Sequence, residues 1–236
     1  MFTGGKAASI SKRISVLSND PNTPRCDLTL NAEVVEDIKI SPPSVNFGDV
    51  VIGKKATRML TLDVLRPETV AVESVTCDDA RFVPKKIKAD HGGAEWEVTF
   101  LGGDTKGTVE PRLTLRTRGT GYAHIEVPMW VNLVGAIHHP HQIFFFRQNG
   151  VYPTQTVRLE SRVANAPFTV TDVSDPEDRF RFEVVQKTPT TTLLKLTLKD
   201  PAKPLSRSLL GTVQIRSTEK TDPLIKIKYT VVHRNR

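Results

Sequence analysis

The segment Ile137-His138-His139-Pro140-His141-Gln142 gathers three imidazoles, the densest cluster of chemically able side chains in this sequence. Neutral imidazole is a common ligand for transition metals. In an extended segment His139 and His141 point to the same side. No Cys, Asp or Glu stands nearby to complete a coordination shell, so these residues read as surface histidines in a connecting segment. His91 lies in the turn-like run Asp90-His91-Gly92-Gly93 and needs no other explanation. The carboxylate pairs Asp78–Asp79 and Glu177–Asp178 precede Arg81 and Arg179 in equivalent turns, which suits a structural turn or a local ion pair better than acid/base work. The sequence contains no Gly-x-Ser-x-Gly elbow, no phosphate-cradling glycine loop and no His-Glu-x-x-His helix. No catalytic residue, cofactor site or metal site is assigned, and the chain reads as a non-enzyme.

There are two cysteines. Cys26 is in phase with Leu28 and Leu30 and is expected to be a small buried apolar residue. Cys77 falls in the turn-like Thr76-Cys77-Asp78-Asp79-Ala80. A disulfide between them is not expected, because they belong to different sequence repeats.

What positions these residues is a repeat of about 98 residues. Val70, Val72, Val75 and Phe82 recur as Phe168, Val170, Val173 and Phe180; Trp96, Val98 and Phe100 recur as Leu194, Leu196 and Leu198. The end of the repeat occurs three times. Ile14, Val16, Leu28, Leu30 and Val34 match Leu113, Leu115, Val127, Met129 and Leu133, and again Val213, Ile215, Ile227 and Tyr229. A period of this kind marks a tandem array of like units. The expected organisation is a closing hairpin of an incomplete unit over 1–36, then complete units over 37–135 and 136–236. Two strands cannot enclose a core. Either the first segment pairs elsewhere, by strand exchange through residues 1–36, or the chain is the C-terminal part of a longer protein; the second is favoured.

Almost every segment alternates apolar and polar residues with period two, and none carries a helical stripe. Strands are predicted near 38–40, 45–47, 57–64, 69–75, 81–88, 95–101, 112–117 and 123–133. In the next repeat they fall near 143–146, 155–162, 168–173, 179–186, 193–199, 211–217 and 223–232. Turn signals separate them, among them Pro42–Pro43, Gly53, Gly102–Gly103, Gly119 and Gly121. Seven or eight short strands per unit indicate an all-β chain of tandem β-sandwiches. The connections Val34–Asp37 and Val134–His138 are short and apolar, which favours a semi-rigid array.

In Phe144-Phe145-Phe146 the middle residue matches Phe47 and should be core, leaving Phe144 and Phe146 on the outer phase. Trp130 is out of phase with Val127, Met129 and Val131, so it is expected to pack on a neighbouring unit or serve as a partner contact. Trp130, Phe144 and Phe146 are the candidate interface residues. The net charge is +7 and the pI near 9.5. The basic residues are dispersed over strand positions that face water, which favours solvated faces over a nucleic-acid surface. No apolar run is long enough to span a membrane. The opening Met1–Lys6 lacks an apolar leader core.

The hairpin Ile14–Val34, with its Ser18-Asn19-Asp20-Pro21 turn, resembles the closing hairpin of a bacterial immunoglobulin-like family of unknown function. The opening Ile40-Ser41-Pro42-Pro43 to Phe47-Gly48 and Gly53 is similar to that family and to the related hydin-type (ASH) and major-sperm-protein-like sandwiches. The last unit departs from the pattern, with Phe145–Phe146 for Phe-Gly and Thr221-Asp222-Pro223 for Asn-Asp-Pro. The family's Cys-Gly-Cys-Thr segment is represented by Cys77 alone. The resemblance implies an adhesive or scaffolding role in exported bacterial proteins, with a protein partner and no catalytic residue. A basic binding module for an anionic polymer, nucleic acid or acidic glycan, is the alternative.

Overall fold

The computed structural model describes residues 8–22, 24–34, 36–90, 93–119 and 123–233. The turn residues His91, Gly92 and Gly121, the opening Met1–Lys6 and Val35 in the first connection lie outside them. The chain divides into two compact units, Met1–Leu133 and Val134–Arg236.

In the first unit, β1 (Ala8–Leu17) and β2 (Arg25–Val34) pair antiparallel and form a two-stranded sheet of their own. The sandwich follows. One sheet runs β3 (Ile38–Ser41), β5 (Ala56–Val64), β8 (Gly93–Phe100), β7 (Phe82–Asp90). The other runs β4 (Val45–Val51), β11 (His124–Val134), β10 (Arg112–Arg118), β6 (Ala71–Cys77), with the short β9 (Gly107–Val109) also on β11. The second unit repeats the order. One sheet is β12 (Ile137–His138), β14 (Gln155–Ser161), β17 (Thr191–Leu198), β16 (Phe180–Thr188). The facing sheet is β13 (Gln142–Phe145), β19 (Leu224–Val231), β18 (Leu209–Ser217), β15 (Val170–Ser174).

This is the immunoglobulin arrangement. The first, second, fifth and fourth principal strands share one sheet, and the third, sixth and seventh share the other. A further short strand, β4 or β13, lies on the last strand; β13 runs parallel to β19.

Alternation dictates what is buried. Along β10 the pattern is strictly in and out, with Leu113 and Leu115 at 0% exposure, and β19 buries Ile225, Ile227, Tyr229 and Val231. The first core gathers Phe47, Leu60, Phe82, Val98, Phe100 and Met129; Phe47 meets Phe82 edge-on at 5.4 Å between ring centres. The second gathers Phe145, Leu159, Phe180, Leu194, Ile215 and Tyr229, with Phe180 edge-on to Tyr229 at 4.8 Å. Each such side chain stabilises its sandwich by about 1.5–3 kcal/mol relative to exposure.

Two short strands escaped the sequence reading. β9 is split from β10 by Glu110–Pro111, because proline lacks the N–H a central strand position needs. Residue 111 is proline here, while the equivalent positions are Lys12 in β1 and Gly211 in β18, and those strands run unbroken. β12 is two residues long and shows no period at all.

In the second unit the Asp-Pro turn locks the start of the unit to its end. The Ile137 amide donates to Oδ2 of the buried Asp222 at 2.7 Å, and the Ala136 amide donates to Thr221 Oγ1 at 3.0 Å. Gly135 is required beside them, since a Cβ there would lie 2.0 Å from Asp222 Oδ1.

The β1–β2 ribbon is two-faced. Its register pairs Ile10 with Ala32, Lys12 with Leu30, Ile14 with Leu28 and Val16 with Cys26, which puts the apolar phase on one side. The other side is polar, with Arg25 and Ser15 both hydrogen-bonded to Asp27. Cys26 corrects an expectation. It is exposed, not buried, because no sheet lies across from this ribbon among the described residues.

The contrast predicts an asymmetric response to truncation. Leu113→Ala should cost about 2–5 kcal/mol, as large core deletions do. The equivalent Ile14→Ala should shift stability by less than about 0.5 kcal/mol, as surface changes do. Urea unfolding followed by tryptophan fluorescence reads this directly, since both tryptophans, Trp96 and Trp130, lie in the first unit.

Candidate interaction surface

Phe144 and Phe146 extend from and just past β13, an edge strand whose only hydrogen-bonded neighbour is β19 among the described residues. Phe145, between them, is fully buried in the second core. Its flanking neighbours point the other way. Their rings stack at 6.1 Å between centres with an interplanar angle of 18°, and they are 46% and 51% exposed. The loop after them is held by Arg147, which donates to Gly150 O and Ala202 O at 2.8 Å each. Asn149 and Gly150 turn the chain at positive φ, closing the Gln148–Val151 bridge.

Main-chain bonding places the free groups. His141 O and Phe145 O accept from the Lys228 and Val232 amides. Odd-numbered residues of β13 therefore face β19, and the backbone N–H and C=O of Phe144 point to the open edge.

Three other edges, β7, β16 and β4, are blunted in recognisable ways. β7 carries Lys85, Lys86 and Lys88, with a register shift between Lys86 and Lys88. β16 carries Arg181 and Glu183 and shifts between Gln186 and Thr188. On β4, Arg58 lies across the strand and donates to Asn46 O at 2.9 Å and Phe47 O at 2.7 Å. β13 has no charge and no bulge, and two aromatic rings flank it.

Trp130 sits on β11 in the first unit, 37% exposed, on the outer face of its sheet. Nearby on the same strand, Asn132 Nδ2 donates to Asp49 Oδ1 at 2.8 Å. The structure thus brings Phe144 and Phe146 together, and places Trp130 in the other unit.

The residues able to do chemistry are held in local turns. His139 and His141 meet edge to face at 5.8 Å, and no group of three His, Cys, Asp or Glu among the described residues is arranged to hold a metal ion. Asp79 and Arg81 pair at 2.6 Å; the guanidinium hydrogen bond holds the Asp79 carboxyl below its ordinary range. Cys77 is a half-buried free thiol beside Asp78, and burial raises its pKa. In the first unit a cleft of about 150 Å³ lies beside Leu62, Val72 and Trp96, whose buried Nε1 has no hydrogen-bond partner among the described residues.

One cluster was missed by sequence reasoning. In the second unit Tyr229 Oη donates to Asp175 Oδ1 at 3.2 Å and accepts from Arg179 Nη1 at 3.0 Å. Asp175 also receives the Arg179 amide at 2.9 Å, and Arg179 Nη1 reaches Leu210 O at 2.8 Å. The phenol lies over Gly211, its cross-strand partner, where a Cβ would sit 2.2 Å from Oη. The signal was present in the self-alignment. Cys77 and Met129 become Asp175 and Tyr229, and Pro111 becomes Gly211. Beside this knot, Arg179, Lys199 and Lys203 line a cleft of about 350 Å³, where Lys199 is paired to Asp178 at 2.6 Å.

No family model matches the chain, and no curated protein matches it. Among solved structures, a protein of unknown function from Porphyromonas gingivalis W83 aligns over 83% of this chain and 99% of its own, with 13% identity and a TM-score of 0.34. The ectodomain of the teleost fish polymeric Ig receptor aligns over 82% and 98%, with 10% identity and a TM-score of 0.35. The titin domains z1z2, solved in complex with telethonin, align over 86% and 99%, with 11% identity and a TM-score of 0.32. The chain is an all-β protein of tandem immunoglobulin-like β-sandwiches, an assignment that rests on the strand order and buried phase described above.

The Tyr229 phenol is pushed up to about 12, first by burial and then by the Asp175 charge, with Arg179 opposing. A raised phenol pKa means its stabilising contribution is whole below pH 10, the ordinary value, and is lost as pH rises through about 12. Tyr229→Phe should delete the step near pH 12 from the 295 nm tyrosinate titration. It should also remove the extra alkaline loss of stability seen between pH 10 and 12 in the parent.

Proposed function

We propose that this chain is a non-catalytic interaction protein, an array of immunoglobulin-like units that holds a protein partner by strand addition at β13. The observation that carries the reading is an unguarded edge strand flanked by two exposed, stacked phenylalanines. An extended segment laid along β13 would hydrogen-bond the outward groups of Phe144, and its alternate apolar side chains would pack on the two rings. The aromatic area supplies affinity and the backbone ladder supplies orientation. Trp130, exposed on the first unit, is a second contact of the same kind. The sequence resemblance supports placing the chain among the bacterial immunoglobulin-like repeats of the hydin-related group, with a scaffolding or adhesive role in an exported protein.

The competing reading, a basic module for an anionic polymer, would rest on charge. Lys85, Lys86 and Lys88 are exposed on β7 and could meet an anionic polymer. One selection separates the two. Random peptides displayed on phage and enriched on the immobilised chain should read as extended, alternating apolar sequences. Their affinity should fall at least about tenfold in the Phe144→Ser, Phe146→Ser double variant and change little with added salt. Acidic peptides whose binding collapses with salt, and which depend on Lys85, Lys86 and Lys88 instead, would replace strand addition with the anionic-polymer reading.

A further inference from the structure

The β1–β2 ribbon carries an apolar face with nothing across from it among the described residues. Ile10, Ile14, Val16, Leu28 and Leu30 share that face and are 41%, 51%, 44%, 52% and 59% exposed. Contiguous apolar surface of this kind is often functional, unlike scattered exposed residues. A two-stranded ribbon left in water is also at best marginally stable.

The chain contains its own template for what belongs there. The residues equivalent to Ile14, Val16, Leu28 and Leu30 are Leu113, Leu115, Val127 and Met129, exposed by 0%, 0%, 1% and 1%. In the second unit they are Val213, Ile215, Ile227 and Tyr229, at 0%, 0%, 0% and 1%. In both cases the covering elements are alike. A four-stranded sheet lies opposite, and two further strands, β4 and β6 or β13 and β15, flank the hairpin.

Size decides between occupants. Ten residues at about 3.3 Å and two strands about 4.8 Å apart give a face of roughly 320 Å². A stable interface needs about 800 Å² per partner. Two copies stacked ribbon on ribbon fall well short of that, and the sandwiches of a second copy are already closed by their own hairpins. A half-sandwich covers the same face and also hydrogen-bonds both outer edges of the ribbon.

We infer that β1 and β2 form a complementation site, which closes an immunoglobulin-like half-sandwich carried by another polypeptide segment of this same repeat type. The occupant brings strands equivalent to β3 through β8, an apolar four-stranded sheet with two flanking strands and no closing hairpin of its own. The site is separate from the β13 edge, so either can fail without the other.

Cys26 reports on the site, since its thiol is exposed on the apolar face, opposite Val16. Residue 8 stands at the position of Gly107 in the repeat, so a second copy of residues 37–106 fused ahead of Ala8 places a front half in register with the ribbon. A parallel fusion carries residues 136–206 instead. In at least one fusion, the duplicate of Cys77 in the first being replaced by serine, modification of Cys26 by a neutral maleimide should slow at least about tenfold relative to the unfused chain, with the remaining Cys77 as the reference. Leu28→Asp with Leu30→Asp should restore fast modification, while the tryptophan fluorescence of the first unit, read in the 136–206 fusion whose added segment holds no tryptophan, stays unchanged. Fast modification in both fusions would overturn the inference. Concentration-dependent dimerisation of the unfused chain that protects Cys26 would overturn it too, making a second copy the occupant.

Discussion

Most strands of this protein present an apolar side chain at every second residue, and such a phase is stable only when a second sheet lies across from it. Everything else follows from whether that cover exists. Where it does, in the sandwiches over 38–134 and 137–231, Leu113, Phe145 and Leu194 lose all contact with water and the strands keep one register. A slip by one residue would bring Thr114 or Lys195 into the core, so the buried phase also sets the pairing. Where the described residues supply no cover, the same pattern yields a ribbon with one wet apolar face.

This explains which features were legible in the residues alone. Period-two alternation and the internal repeat located the strands, because both are local or self-referential. Phe145 against Phe144 and Phe146 was readable for the same reason, from its match to Phe47. Cys26 was not. Its partners in the repeat, Ile125 and Ile225, are partly or fully buried by a facing sheet, and a one-dimensional alignment cannot say whether that sheet is present. β9 was lost because Pro111 cuts its strand, and β12 because two residues have no period. The Asp175–Tyr229–Arg179 knot was hidden differently. Each substitution looks tolerable alone, and only the sheet, by setting Tyr229 across from Gly211, shows that they compensate one another.

The candidate site also follows from edges. A sandwich hides its faces but leaves strands at the rim, and an unguarded rim recruits other chains. In this protein lysines, register shifts and the reach of Arg58 close most of that rim, while β13 stays open and aromatic. The acidic and basic residues that looked reactive are spent in turns, Asp79 on Arg81 and Glu177 on Arg179.

The most direct test is strand-resolved native-state hydrogen exchange on the whole chain. Amides of Leu113, Leu115 and Val127, and of Val213, Ile215 and Ile227, should exchange only when their own sandwich opens, while those of Ile14, Val16, Leu28 and Leu30 exchange orders of magnitude faster. Equal protection of all three hairpins would contradict the account, since it would mean that the first is covered as fully as the others.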